Sequence, residues 1–99
     1  MAFINAVEEY PEVNVTAEGG PLYSTNGVQV AYGVPGENFH WEEMQPHGSK
    51  WKAYVTPRST RGREFRFDIY YYDRNGRQTF LGSKYLFIKD DRNRQPNYY

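Results

Sequence analysis

The chain has 99 residues with no cysteine, ten Tyr, six Phe, two Trp, and twelve Lys/Arg balanced by twelve Asp/Glu. That length carries one domain with its own core, and the missing cysteine excludes disulfides, thiolate zinc sites and a Cys nucleophile while leaving the redox compartment open. The formal zero is unevenly distributed: positions 1–49 hold seven Glu and no Lys or Arg, and positions 50–99 hold all twelve cations against five acids.

Such asymmetry predicts a charged partner, or acidic and basic segments that face one another within the fold or across a contact between copies. Aliphatic residues are few, with three Leu, three Ile and seven Val, so the core must lean on rings. Tyrosines keep a hydroxyl that wants a partner or water, and several are expected to sit half-buried with their tips out.

In chain order, Met1 to Glu9 has neither a basic leader nor an apolar h-region, and no run approaches the roughly 20 apolar residues of a membrane span. As written, the chain reads as cytoplasmic or as an excised domain of an exported protein. Asn5-Ala6-Val7-Glu8 has capping-box spacing and predicts a short helical turn, stopped by Pro11. From there the pattern has period two. Val13, Val15 and Ala17 alternate with Asn14 and Thr16; Val28, Val30, Tyr32 and Val34 alternate with Gln29, Ala31 and Gly33; Phe39 and Trp41 alternate with His40 and Glu42. Each run predicts a strand with one buried face.

Further on, Trp51, Ala53 and Val55 alternate with Lys52, Tyr54 and Thr56, and Phe65, Phe67, Ile69 and Tyr71 alternate with Arg66, Asp68, Tyr70 and Tyr72. The second of these runs ends at Asp73-Arg74-Asn75-Gly76, where Asn-Gly predicts a tight hairpin turn with positive φ, returning through Gln78 to Leu81. Gly82 divides that return from a last strand, Lys84 to Lys89, and the polar tail 90–99 is expected to fray. About seven short strands with turn signals every 8 to 12 residues predict an all-β, two-sheet antiparallel sandwich of immunoglobulin type over 1–89, with a small barrel as the competing architecture.

Catalytic motifs are missing. His40, Glu42, Glu43 and His47 lack helical zinc spacing, so no metal or cofactor is expected. The adjacent carboxylates Glu8-Glu9, Glu42-Glu43 and Asp90-Asp91 would point to opposite faces of a strand and form no acid/base pair, and no Gly-x-Ser-x-Gly elbow occurs. Cations and rings do interleave from Lys50 to Arg77, which is how single-strand nucleic-acid binders are built. Arg61-Gly62-Arg63-Glu64-Phe65-Arg66-Phe67 resembles an RNP1 strand, but Arg63 stands where the stacking ring belongs.

Two family resemblances attach to these segments. Ile69 to Gly82, with its aromatic strand entering Asp73-Arg74-Asn75-Gly76, resembles the third calcium loop of C2 domains; only Asp73 keeps a ligand, with Tyr71 and Thr79 at carboxylate positions, so calcium is not expected. Leu22-Tyr23 through Gly33-Val34-Pro35-Gly36, Tyr54-Val55-Thr56-Pro57, Gly62 to Ile69, Asn75-Gly76 and Tyr85 to Lys89 are similar to the immunoglobulin-like periplasmic repeats of the gliding-motility protein M of the type IX secretion motor. That resemblance implies a β-sandwich in a non-catalytic rod, as in an envelope component.

The sequence therefore predicts a non-enzymatic binding or assembly module. Its contact surface is expected to be Trp41, Trp51, Tyr54, Arg66, Tyr70, Tyr72, Arg74 and Arg77. A protein partner or self-association is the first expectation, single-stranded nucleic acid the second and carbohydrate the third; a small viral or bacterial envelope protein would share the pattern.

Overall fold

The structure, a computed structural model, describes residues 1–57 and 62–89. Two four-stranded sheets pack face to face. The first holds β1 (Ala2–Glu9), β2 (Glu12–Gly19), β6 (Lys50–Val55) and β5 (Gln45–His47), in the order β1-β2-β6-β5. The second holds β4 (His40–Glu43), β3 (Val28–Gly33), β7 (Arg63–Tyr72) and β8 (Gln78–Ile88), in the order β4-β3-β7-β8. Every ladder is antiparallel, and one 3-10 turn, Gly20–Tyr23, leads from the first sheet toward the second.

Alternation in the sequence sets which side chains face inward. Val13 and Val15 of β2 and Val55 of β6 meet Val28 and Val30 of β3 and Phe67 and Ile69 of β7, all of them fully buried. Each such side chain contributes on the order of 2 kcal/mol by leaving water. Tyr32 lies flat against Phe67 across the β3–β7 ladder, ring centroids 6.1 Å apart, so rings do replace aliphatics in the core.

Four sequence expectations are corrected. The predicted helical turn at Asn5–Glu8 is instead the middle of β1. A capping signal is worth about 1 kcal/mol, whereas pairing with β2 in eight register steps, Ala2↔Gly19 to Glu9↔Glu12, satisfies the backbone and turns Ala6 into the core. Gly82 does not separate two strands. β8 runs through it by a bulge at the Ile69/Tyr70 step of β7, and an added Cβ at Gly82 would lie 3.1 Å from Ile4 Cδ1, so the missing side chain lets β1 and β8 approach.

The turn after β7 is not the two-residue Asn-Gly type, since Gly76 alone in it has positive φ (78°). Asp73 N–H donates to Arg77 O and Gly76 N–H to Asp73 O, both at 2.9 Å, as in a longer loop with a glycine bulge. The alternation that set Trp41 on a buried face is also reversed: Trp41 pairs with Ala31, which points outward, so the ring is exposed, as its place on the expected contact surface requires. The 90–99 tail and the basic positions Arg58 and Arg61 lie outside the described residues.

Candidate functional site

β7 is central to its sheet, so its outward residues Arg66, Asp68 and Tyr70 are flanked on both sides. The register aligns side chains in rows across the outer face. One row runs Glu43, Gln29, Tyr70, Phe80; the next Trp41, Ala31, Asp68, Ser83; a third places Gly33, Arg66 and Tyr85 side by side. Phe39 closes the third row, because its Cδ1 would lie 2.9 Å from a Cβ on Gly33: the ring rests where a side chain would be. Phe87, opposite Glu64, extends the face along β8.

Rings dominate this surface. Trp41 and Tyr70 are 5.0 Å apart by ring centroid, and Tyr70 meets Phe80 edge-on at 5.4 Å. Trp41, Phe80, Tyr85 and Phe87 each keep half or more of their surface exposed. Small residues beneath them, Ala31 and Gly33, form the floor. A polar ladder crosses the same face, with Gln78 Nε2 donating to Gln29 Oε1 at 3.1 Å and Gln29 Nε2 to Glu43 Oε1 at 3.4 Å.

Among the rings sits a buried carboxylate. Asp68 is 7% exposed; its Oδ1 accepts a 2.6 Å hydrogen bond from Ser83 Oγ and lies 3.0 Å from Arg66 Nε. That N–H is poorly aligned with Oδ1, so the Arg66 contact is an ion pair more than a directed hydrogen bond. The guanidinium also stands 4.9 Å from the Phe39 ring centroid. A hydrogen bond with Tyr85, and then the charge of Asp68, raise the Arg66 pKa further above its ordinary value against the opposing effect of desolvation. Charge at the centre is thus fixed and internally balanced, which suits orientation of polar ligand groups more than attraction of a polyanion.

The eight residues expected at the contact surface separate. Trp41, Arg66 and Tyr70 come together here, and Tyr72 lies along the same face over Gly27. Arg74 and Arg77 belong to the hairpin beyond it. Trp51 faces inward, packs on the core and donates from Nε1 to Leu22 O at 3.3 Å. Tyr54 is on the outer face of the other sheet, under Lys52 Nζ at 5.2 Å. Phe39, Asp68, Phe80, Ser83, Tyr85 and Phe87 were not anticipated. A signal for three of them existed: Ser83, Tyr85 and Phe87 alternate with Leu86 and Ile88, once β8 is allowed to continue through Gly82.

Among the described residues, a hollow of about 290 Å³ borders this face at Glu43 and reaches Tyr54 on the other sheet. Another of about 460 Å³ is lined by Asn14, Thr16, His47 and Lys50 on the first sheet, and one of about 250 Å³ lies beside Pro21 and Tyr71. The aromatic face is a platform, a shape that fits an extended chain better than a small enclosed molecule.

Solved structures share the fold. A carbohydrate-binding module family 56 β-1,3-glucan-binding domain aligns with TM-score 0.62 at 14% identity, over 87% of this chain and 98% of that one. A Br derivative of the module BhCBM56 aligns with TM-score 0.61 at 17% identity, over 87% and 88%. No family model and no curated protein matches the chain. Identities this low carry the sandwich and nothing finer.

Proposed function

We propose that the protein is a non-catalytic module that binds a neutral polysaccharide chain on the outer face of the β4-β3-β7-β8 sheet. The observation that carries this reading is the ring cluster Trp41–Tyr70–Phe80 set directly beside the buried carboxylate of Asp68, which Ser83 and the half-buried Arg66 hold in place. A pyranose ring offers flat C–H faces and a rim of hydroxyls. Rings take up the first, and preformed charged hydrogen-bonding groups the second.

Support also comes from rigidity. Trp41 is braced by Tyr70, and Tyr70 by Phe80, so little side-chain freedom is lost when a ligand lands. The two fold neighbours are described as carbohydrate-binding modules, one of them for β-1,3-glucan, which makes that polymer the first ligand to try. Arg66, the cation at the centre, is occupied by Asp68 and Tyr85, and this favours a neutral chain over a nucleic acid.

Affinity electrophoresis through gels containing soluble β-1,3-glucan tests the proposal. Wild type should be retarded, Tyr54→Ala should be retarded equally, and Trp41→Ala should lose roughly 5- to 30-fold in affinity, the loss typical of a truncated aromatic anchor. Retardation of Trp41→Ala equal to wild type, or no retardation of wild type in any neutral polysaccharide gel, rejects it.

A further inference from the structure

Among the described residues each sheet has two edge strands: β1 and β5 in the first, β4 and β8 in the second. Exposed edges invite pairing with another chain, and natural sheets blunt them with short strands, charge, Pro or bulges. β5 is three residues long and contains Pro46; β4 is four residues long and ends in Glu42-Glu43; β8 has its bulge and Lys84. β1 is different. From Ala2 to Val7 it has no charge, no Pro, no Gly and no bulge, and its outer face shows Phe3 and Val7 at 61% and 46% exposure.

We propose that β1 pairs antiparallel with β1 of a second copy of this chain, joining two four-stranded sheets into one of eight strands. The sequence of β1 is complementary to itself about Asn5. With Asn5 opposite Asn5 of the second copy, Phe3 stands opposite Val7 on the outer face and Ile4 opposite Ala6 on the inner face. The pairing therefore covers both exposed apolar side chains twice over, once on each side of the axis. Glu8 falls opposite Ala2, so the acidic ends of the strands stay apart. Because each copy uses the same edge, the contact closes at a dimer and does not propagate.

The dyad of such a pair is perpendicular to the sheet. It leaves the two aromatic faces looking in one direction, so both could engage one polysaccharide surface and gain by effective concentration. That consequence rests on the binding reading above; the pairing itself does not.

Sedimentation velocity of the full chain over a concentration series decides the matter without any sugar present. Wild type should show a concentration-dependent dimer. Asn5→Lys and Asn5→Glu, each placing like charges opposite one another at the axis, should each raise the dissociation constant by roughly tenfold or more, and an equimolar mixture of the two should restore the dimer. Val7→Lys, which sets a cation against Phe3 of the other copy, should weaken it as well; far-UV circular dichroism checks that each variant stays folded. A wild type that is monomeric up to hundreds of micromolar, or an Asn5→Lys protein that dimerises as wild type does, overturns the proposal.

Discussion

At Asp73 one carboxylate organises the β7–β8 hairpin. Its Oδ1 accepts from the N–H groups of Asn75 and Arg77, each at 2.9 Å, and its Oδ2 accepts from Thr79 Oγ1 at 3.2 Å. The bond from the Arg77 backbone is the largest of the causes that hold its pKa below the ordinary value. With the folded pKa below the unfolded one, the stabilisation is present above the unfolded value of about 4 and disappears as pH falls through the folded value. Thermal melts should therefore show a midpoint that drops on acidification below about pH 4. Asp73→Asn should have a lower midpoint at neutral pH and a shallower acid slope; an unchanged slope removes this account. The two tryptophans contrast in the same way. Trp51→Ala should cost stability toward the lower end of roughly 3–5 kcal/mol in denaturant unfolding, since Trp51 is half-buried against the core. Trp41→Ala should cost about 1 kcal/mol or less, because its ring partners on the surface remain supported. Period-two reading put both on apolar faces. What it could not register is the pairing of Trp41 with Ala31, which sets the ring on the outer face of the sheet.

Among the elements, β3 shows how a floor is built. Gly33 is buried with the Phe39 ring against its outer side, and Ala31 is buried between its register partners Trp41 and Asp68. Gly33→Ala would bring a methyl group to 2.9 Å from Phe39 Cδ1, so the ring must swing away and release its contact with Arg66. Overpacking of that kind costs about 1–3 kcal/mol, and urea titration should find a shift in that range together with weaker polysaccharide retention. An alanine variant with wild-type stability and retention would mean that Phe39 is not part of the site. The inward-facing strands β2, β3, β6 and β7 were legible because each keeps one strictly apolar face over several residues. β1 was hidden by the capping spacing at Asn5–Glu8, and β8, legible as two strands on either side of Gly82, was not legible as one; both short-range signals lose to the ladder energies of long antiparallel pairings. Part of the site went with that continuity: Ser83, Tyr85 and Phe87 join Phe80 on one face only when β8 runs unbroken through Gly82.

For the whole molecule, the acidic first half and basic second half meet within the fold. Lys50 pairs with Glu18 across the β2–β6 ladder and Arg63 with Glu37, each at 3.9 Å. Both pairs are about half exposed, so each is worth roughly 0–1 kcal/mol, and raising salt to the molar range should move unfolding free energy by no more than about 1–2 kcal/mol. A loss of most of the stability in salt would show that charge, and not the apolar core, holds the sheets together. We propose above that the β4-β3-β7-β8 face takes a neutral polysaccharide. The most direct measurement of that binding is a titration of the isotopically labelled protein with a soluble β-1,3-glucan oligosaccharide, followed by amide chemical shifts. Shifts should cluster at Ala31, Gly33, Trp41, Asp68, Tyr70 and Ser83, with the indole N–H of Trp41 moving and that of Trp51 still. Shifts gathered instead at Thr16, Lys50, Lys52 and Tyr54 on the opposite sheet would contradict the account.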